Sequence, residues 1–146
     1  MPIVDENIEN LARAAAETVD CMRVLTKSGS NLVAEVLAGR DFIQFEHYPP
    51  DDVLDRETQA QYYFHAHPPE RGEWNDYGHF HLFLRGTGIP EDATPAPLAF
   101  PQPERETTGN ISHLIAISMD RAGRPVRLFT TNRWVTAETW FSADDV

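Results

Sequence analysis

Four of the six histidines of this chain fall in two His-x-His pairs, His65-Ala66-His67 and His79-Phe80-His81, inside a 17-residue stretch. On a β-strand, residues i and i+2 point to the same side, so each pair would present two imidazoles side by side. Residues 68–78, between the pairs, have the Pro- and Gly-containing composition of a loop. An antiparallel hairpin across that loop would set His67 opposite His79 and His65 opposite His81, with facing Cβ atoms ~5 Å apart. Three or four ring nitrogens at that spacing can converge on one divalent transition metal ion. Neutral imidazole suits zinc, iron, copper and nickel, and three protein ligands with an open position mark a catalytic rather than a structural site.

Other residues can be assigned around this grid. Glu73 in the loop is the candidate carboxylate ligand or general base, because water on a metal needs a nearby proton acceptor. Glu70 and Asp76 could orient the second nitrogen of a ligand. Gln61 and Tyr63 share the histidine side of their strand, and Trp74, Tyr77, Phe83 and Arg85 complete a pocket for a small molecule. His113 and His47 lie on neighbouring segments as additional candidates. Three readings follow. The first is a mononuclear metalloenzyme, oxygenase-like or hydrolytic, acting on a small molecule. The second is a non-catalytic haem or small-molecule module, with one axial histidine among Tyr63, Trp74, Tyr77 and Phe83. The third is a metal-free interaction domain whose histidine face docks a partner or a second copy of the chain, with Trp74, Trp134 and Trp140 as anchors. The plainer alternative is a set of hydrogen-bonded histidines on a polar sheet face.

Hydrophobic periodicity supplies the elements that must hold these residues. Ile8, Leu11, Ala15, Val19, Met22 and Leu25 recur at spacings of three and four, predicting an amphipathic helix over 5–26 with Asp5 as cap. Cys21, beside that stripe, reads as a packed, inert thiol. Ser30 caps a second short helix through Val33 and Leu37, closed by Gly39. From Asp41 the period becomes two. Strands are expected at 41–47, stopped by Pro49-Pro50, at 59–67, at 78–85, at 111–119 and, after an Asp120–Arg124 turn, at 126–131. A last strand or extended segment spans 133–141. In 59–67 and 78–85 the apolar set (Tyr62, Phe64; Phe80, Leu82, Leu84) alternates with the histidine set. Residues 86–110 form a Pro-rich loop. The chain thus reads as one α+β domain, 1–146, with a helical part at 1–40 and a sheet part at 41–141. Its N-terminal helices pack on one face of a curved antiparallel sheet of five or six strands, and the histidines occupy the other face.

Composition restricts the partners. The formal charge is −11, from 23 acidic and 12 basic residues, and Lys27 is the only lysine. A nucleic-acid surface needs clustered cations to displace phosphate counterions, and an anionic membrane needs the same, so neither is expected as a partner. A small molecule is the expected partner, and a homo-oligomer is compatible with the pattern. No apolar run approaches the ~20 residues of a membrane span. The single cysteine and an opening without the form of a signal peptide point to the cytoplasm. Ser142-Ala143-Asp144-Asp145 has the form of a helix start that Val146 cuts short, as in a truncated product or a frayed tail.

In ingredients the histidine pairs resemble cupin metal sites, which also combine His-x-His with a Glu and a later His in a small β-barrel. Here the glutamates follow His67 after two or five intervening residues, and the flanking glycines are missing. Phe83 stands where a histidine-triad hydrolase would carry its third alternating histidine. Taken whole, the chain resembles a bacterial family of unknown function, with Tyr62 to Arg85 as its most distinctive stretch. That resemblance implies no activity.

Overall fold

The computed structural model describes residues 3–68, 76–97, 111–132, 135 and 138–142, with side chains from residue 8. Two helices, α1 (Ile3–Lys27) and α2 (Leu32–Leu37), precede five strands: β1 (Tyr48–Leu54), β2 (Ala60–His65), β3 (Gly78–Arg85), β4 (Ile111–Met119) and β5 (Pro125–Phe129). The strands form one curved sheet in chain order, every pair antiparallel, so the class is the expected α+β. Among the described residues there is no sixth strand. Phe141 makes only an isolated bridge to Pro95.

The sheet forms because two alternating runs meet. On one face Phe64, at 0% exposure, lies opposite Phe80, with ring centroids 5.0 Å apart. Tyr48, Met119 and Val33 of α2 close this core, with Phe42 packed against it. The Tyr48 hydroxyl donates to the Asp41 carbonyl (2.6 Å) and accepts from the Ile43 N–H (2.8 Å), which secures the irregular 41–47 segment. The Asp120 carboxylate accepts from the N–H groups of Ala122 and Arg124, closing the expected turn between β4 and β5.

Three expectations are corrected. The first strand is not 41–47 but Tyr48–Leu54, and it contains both prolines. As an edge strand with a register shift between Tyr48 and Val53, it can carry residues that donate nothing to the ladder. Asn31, not Ser30, caps α2, accepting from the Ala34 N–H at 3.0 Å, and Ala38 takes the left-handed closing position ahead of Gly39. Finally, Cys21 is exposed rather than packed. Among the described residues, α2 supplies the helical part of the core cluster and no α1 side chain joins it; Ile8 and Leu11 of the stripe beside Cys21 are exposed, while Met22 and Leu25 are half-buried.

Gly78 shows how tightly the β2–β3 pair fits. A Cβ there would lie 2.5 Å from Phe64 Cζ and 2.8 Å from the His65 carbonyl oxygen. Neither can yield cheaply, since one is a fully buried ring and the other is backbone. Gly78→Ala is expected to cost about 1–3 kcal/mol of stability, read as a lower denaturant midpoint at unchanged slope. An unchanged midpoint would mean that the two strands separate without penalty.

Candidate metal centre

The second face of the sheet gathers all the histidines. Pairing sets His65 opposite His79, and His79 opposite Ser118, which faces Arg127. In the next row Tyr63 faces His81, then Ala116, then Phe129. The parity expected from the sequence therefore holds, but the register is two residues away from the expected one. His79 meets His65 instead of His67, and His81 meets Tyr63 instead of His65. His67 consequently falls beyond the strand, exposed, with its ring 5.2 Å from that of His79.

Ring centroids separate His65 from His79 by 4.8 Å, and His81 from each of them by 5.0 Å. One ligand nitrogen from each of the three lies within 4.8 Å of the other two, so His65, His79 and His81 could hold a metal ion. A tetrahedral zinc with bonds of ~2.0–2.1 Å wants nitrogens closer still, which small rotations about the side-chain bonds would supply. Ser118 and Ala116 are the small residues opposite His79 and His81 on β4, and this leaves room beside the rings. Phe129 on β5 walls that room, 5.3 Å from the His79 ring.

Two of the three ligand candidates are held from behind. His79 Nδ1 lies 3.3 Å from an Asp76 carboxylate oxygen, the arrangement that keeps the proton on Nδ1 and the lone pair on Nε2. His81 Nδ1 faces His113 Nε2 at 3.0 Å. His113 reaches this position through a bulge. The register slips between Leu82 and Phe83, so that His113 rather than Leu114 lies opposite Phe83 and faces the histidine side. Its backbone N–H donates to Glu138, a buried carboxylate that also accepts from Trp140 Nε1 at 3.0 Å. On the other flank His47 stacks on Tyr63 at 3.6 Å between ring centres and 5.7 Å from His65. Asp52 holds it, with a carboxylate oxygen 3.0 Å from Nδ1, and Gln61 donates to the same carboxylate (2.7 Å) while accepting from Arg85. Contacts thus link all six histidines into one cluster.

Burial decides its electrostatics. Desolvation, reinforced by the neighbouring His79, His47 and His67, pushes His65 down to about 4. Desolvation and the facing histidines push His81 down to about 2. Burial also lowers His113, partly offset by the charge of Glu138. At neutral pH these rings are uncharged and offer lone pairs.

The remaining expected pocket residues divide. Gln61, Tyr63 and Phe83 line the same groove as the histidines, a concavity of about 1480 Å³. Arg85 reaches Gln61 beside it. Tyr77 lines the same groove while also packing against the core, its ring 4.9 Å from that of Phe42 and the Arg121 guanidinium over it. Glu70, Glu73 and Trp74 lie outside the described residues, as does Trp134. Sequence reasoning passed over Asp52, Phe129 and Glu138. The period-two pattern of β5 could have shown Phe129, whereas nothing local marks Asp52 or Glu138. No helix among the described residues is long and apolar enough to cross a membrane.

No curated protein and no solved structure matches the chain. Residues 12–146 match the family model of a domain of unknown function, DUF6969, and the chain belongs to that family.

Proposed function

We propose that this protein is a mononuclear metalloenzyme in which His65, His79 and His81 ligate one divalent transition metal, leaving an open position toward the groove. The observation that carries the reading is the convergence of one ring nitrogen from each of three largely buried histidines within 4.8 Å. Three histidine ligands leave a coordination position for water or substrate, as catalytic sites require and closed structural sites do not. The groove admits a small molecule, and Tyr63, Phe83 and Phe129 give it apolar walls. Zinc would suit hydrolysis and iron an oxygenase-like reaction, with the metal as the deciding quantity. Glu73, from the loop between the histidine pairs, is our candidate carboxylate for proton transfer.

Protein purified without chelator is expected to carry about one equivalent of zinc, iron, copper or nickel by elemental analysis. His79→Ala should abolish stoichiometric binding, whereas His67→Ala should retain it. Asp76→Ala should weaken affinity by about 10–100-fold, because the His79 ring loses the acceptor that fixes its proton. A metal-free wild type that takes up none of these ions on titration would defeat the proposal, and a Soret band would replace it with the haem reading.

Acid should act on the metal-free fold in one direction. An unfolded histidine titrates near 6.5, whereas folded His65 and His81 resist protonation down to about 4 and about 2. Below pH 6.5 the unfolded chain therefore binds more protons than the folded one, so stability is complete above that pH and declines as pH falls toward 4. The slope is at most about 1.4 kcal/mol per pH unit for each such histidine, and less at His65, where solvent reaches the ring. Chemical denaturation of metal-free protein from pH 7.5 to 4.5 checks this. A midpoint that rises on acidification would contradict the buried, neutral cluster.

A further inference from the structure

The groove that gathers the histidines continues across β4 onto β5, where its wall changes character. Pairing sets His65, His79, Ser118 and Arg127 in one row across four strands. Side chains of one row share a face, so Arg127 stands on the histidine side, half-buried, with its Nη1 out of solvent contact. Phe129 follows at the same parity, and Thr131 continues past the end of the strand; all three line the groove. The Thr131 hydroxyl is buried and has no hydrogen-bond partner among the described residues. The β5 wall thus offers a guanidinium, an apolar ring and a hydroxyl in succession.

Among the described residues, Asp52, Asp76, Asp120, Arg121 and Arg127 are the carboxylates and guanidiniums of the groove lining. The carboxylates are engaged: Asp52 holds His47 and Gln61, Asp76 faces His79, and Asp120 accepts from the N–H groups of its turn. Arg121 is exposed and lies over the Tyr77 ring, 4.7 Å from its centre. Arg127, by contrast, is carried into the groove by a strand, one row position beyond Ser118 and two beyond His79.

We propose that Arg127 is the anion anchor of this groove and that the substrate is a small monocarboxylic acid with an apolar body, an inference that rests on the metalloenzyme reading above. A planar guanidinium donates two parallel N–H bonds to a carboxylate, which fixes orientation as well as position. The body lies along Phe129 toward Thr131, and the reacting group reaches the place between His65, His79 and His81. Two strand spacings, ~10 Å, separate the β3 and β5 backbones. Imidazole and guanidinium both reach into that gap, so only a few bonds join the carboxylate to the reacting group. Charge selects a monoanion. Three carboxylates against two guanidiniums leave the lining one negative charge in excess. A divalent ion held by unprotonated rings turns this into one positive charge, which a monocarboxylate cancels and a phosphate dianion overshoots.

Calorimetric titration of the full-length, metal-loaded protein with phenylacetate and with hexanoate, each beside its primary amide, tests this. The acids are expected to bind at least about tenfold tighter than the amides, the factor that a charge-assisted pair adds over a neutral one. Arg127→Gln should remove that preference while leaving the amides' affinity and the metal content unchanged, and Arg127→Lys should keep part of it. Equal affinity of the wild type for acid and amide overturns the inference without any variant having to fold. A preference that survives Arg127→Gln overturns it as well, because another group, the metal foremost, then takes the carboxylate. Phenyl phosphate binding more tightly than phenylacetate overturns the monoanion. Metal content separates this inference from the reading beneath it. A wild type that takes up no metal defeats the metalloenzyme, whereas an Arg127-dependent preference for the acids in that same protein still supports the anion anchor.

Discussion

The rest of the molecule depends on how β2 pairs with β3. Because side chains alternate across a strand, one ladder creates two surfaces at once, Phe64 against Phe80 toward the core and His65 against His79 toward the groove. A slip of one residue would bury the imidazoles against Val33 and expose the phenyl rings, so burial of the aromatics excludes it. A slip of two keeps both surfaces chemically sensible and must be excluded by shape. The absent side chain of Gly78 does this, since the Phe64 ring fills the place its Cβ would take. The aromatic core thus decides which histidines meet, although it touches none of them.

The same burial that sets the register sets the chemistry of the other face. Adjacent imidazoles in a poorly hydrated cleft cannot all carry protons, because each charge would lose its solvent and repel its neighbours. The cluster resolves this by staying neutral at its centre, with Asp76, Asp52 and Glu138 kept to the flanks rather than between the rings. One ring nitrogen from each of His65, His79 and His81 lies within 4.8 Å of the others, so the three could hold a metal ion. Protonation of His65 or His81 is local and costly, whereas a metal ion could draw on three rings together.

Much of this was legible in the chain, but only as far as local patterns extend. Alternation in Tyr62 to His65 and in His79 to Arg85 gave the two strands and their shared parity, since period two follows from backbone geometry alone. Register was not legible, because His67 against His79 and His65 against His79 satisfy the same alternation and differ only in how Phe64 packs over Gly78. Pro49 and Pro50 read as a stop in the sequence, whereas an edge position, which is a property of the whole sheet, permits them within β1. The α1 stripe and Cys21 read as buried because amphipathic helices usually pack, yet Cys21 is exposed. The pattern records that a helix has an apolar side but not what covers it.

His113 shows why the far wall of the site lay beyond such reading. By simple alternation from Ala116, Leu114 would face the histidines and His113 the core. The bulge beside Leu82 reverses this, and a bulge takes a backbone N–H out of the ladder, which is unfavourable if that group is left unpaired in the interior. Glu138 receives this N–H, twenty-five residues further along the chain. The carboxylate therefore stabilises a local irregularity of β4, the irregularity turns His113 toward His81, and His113 occupies the Nδ1 side of His81 so that Nε2 is the nitrogen left for the groove. A buried acid bonded to the His113 backbone thus helps to determine which nitrogen His81 presents.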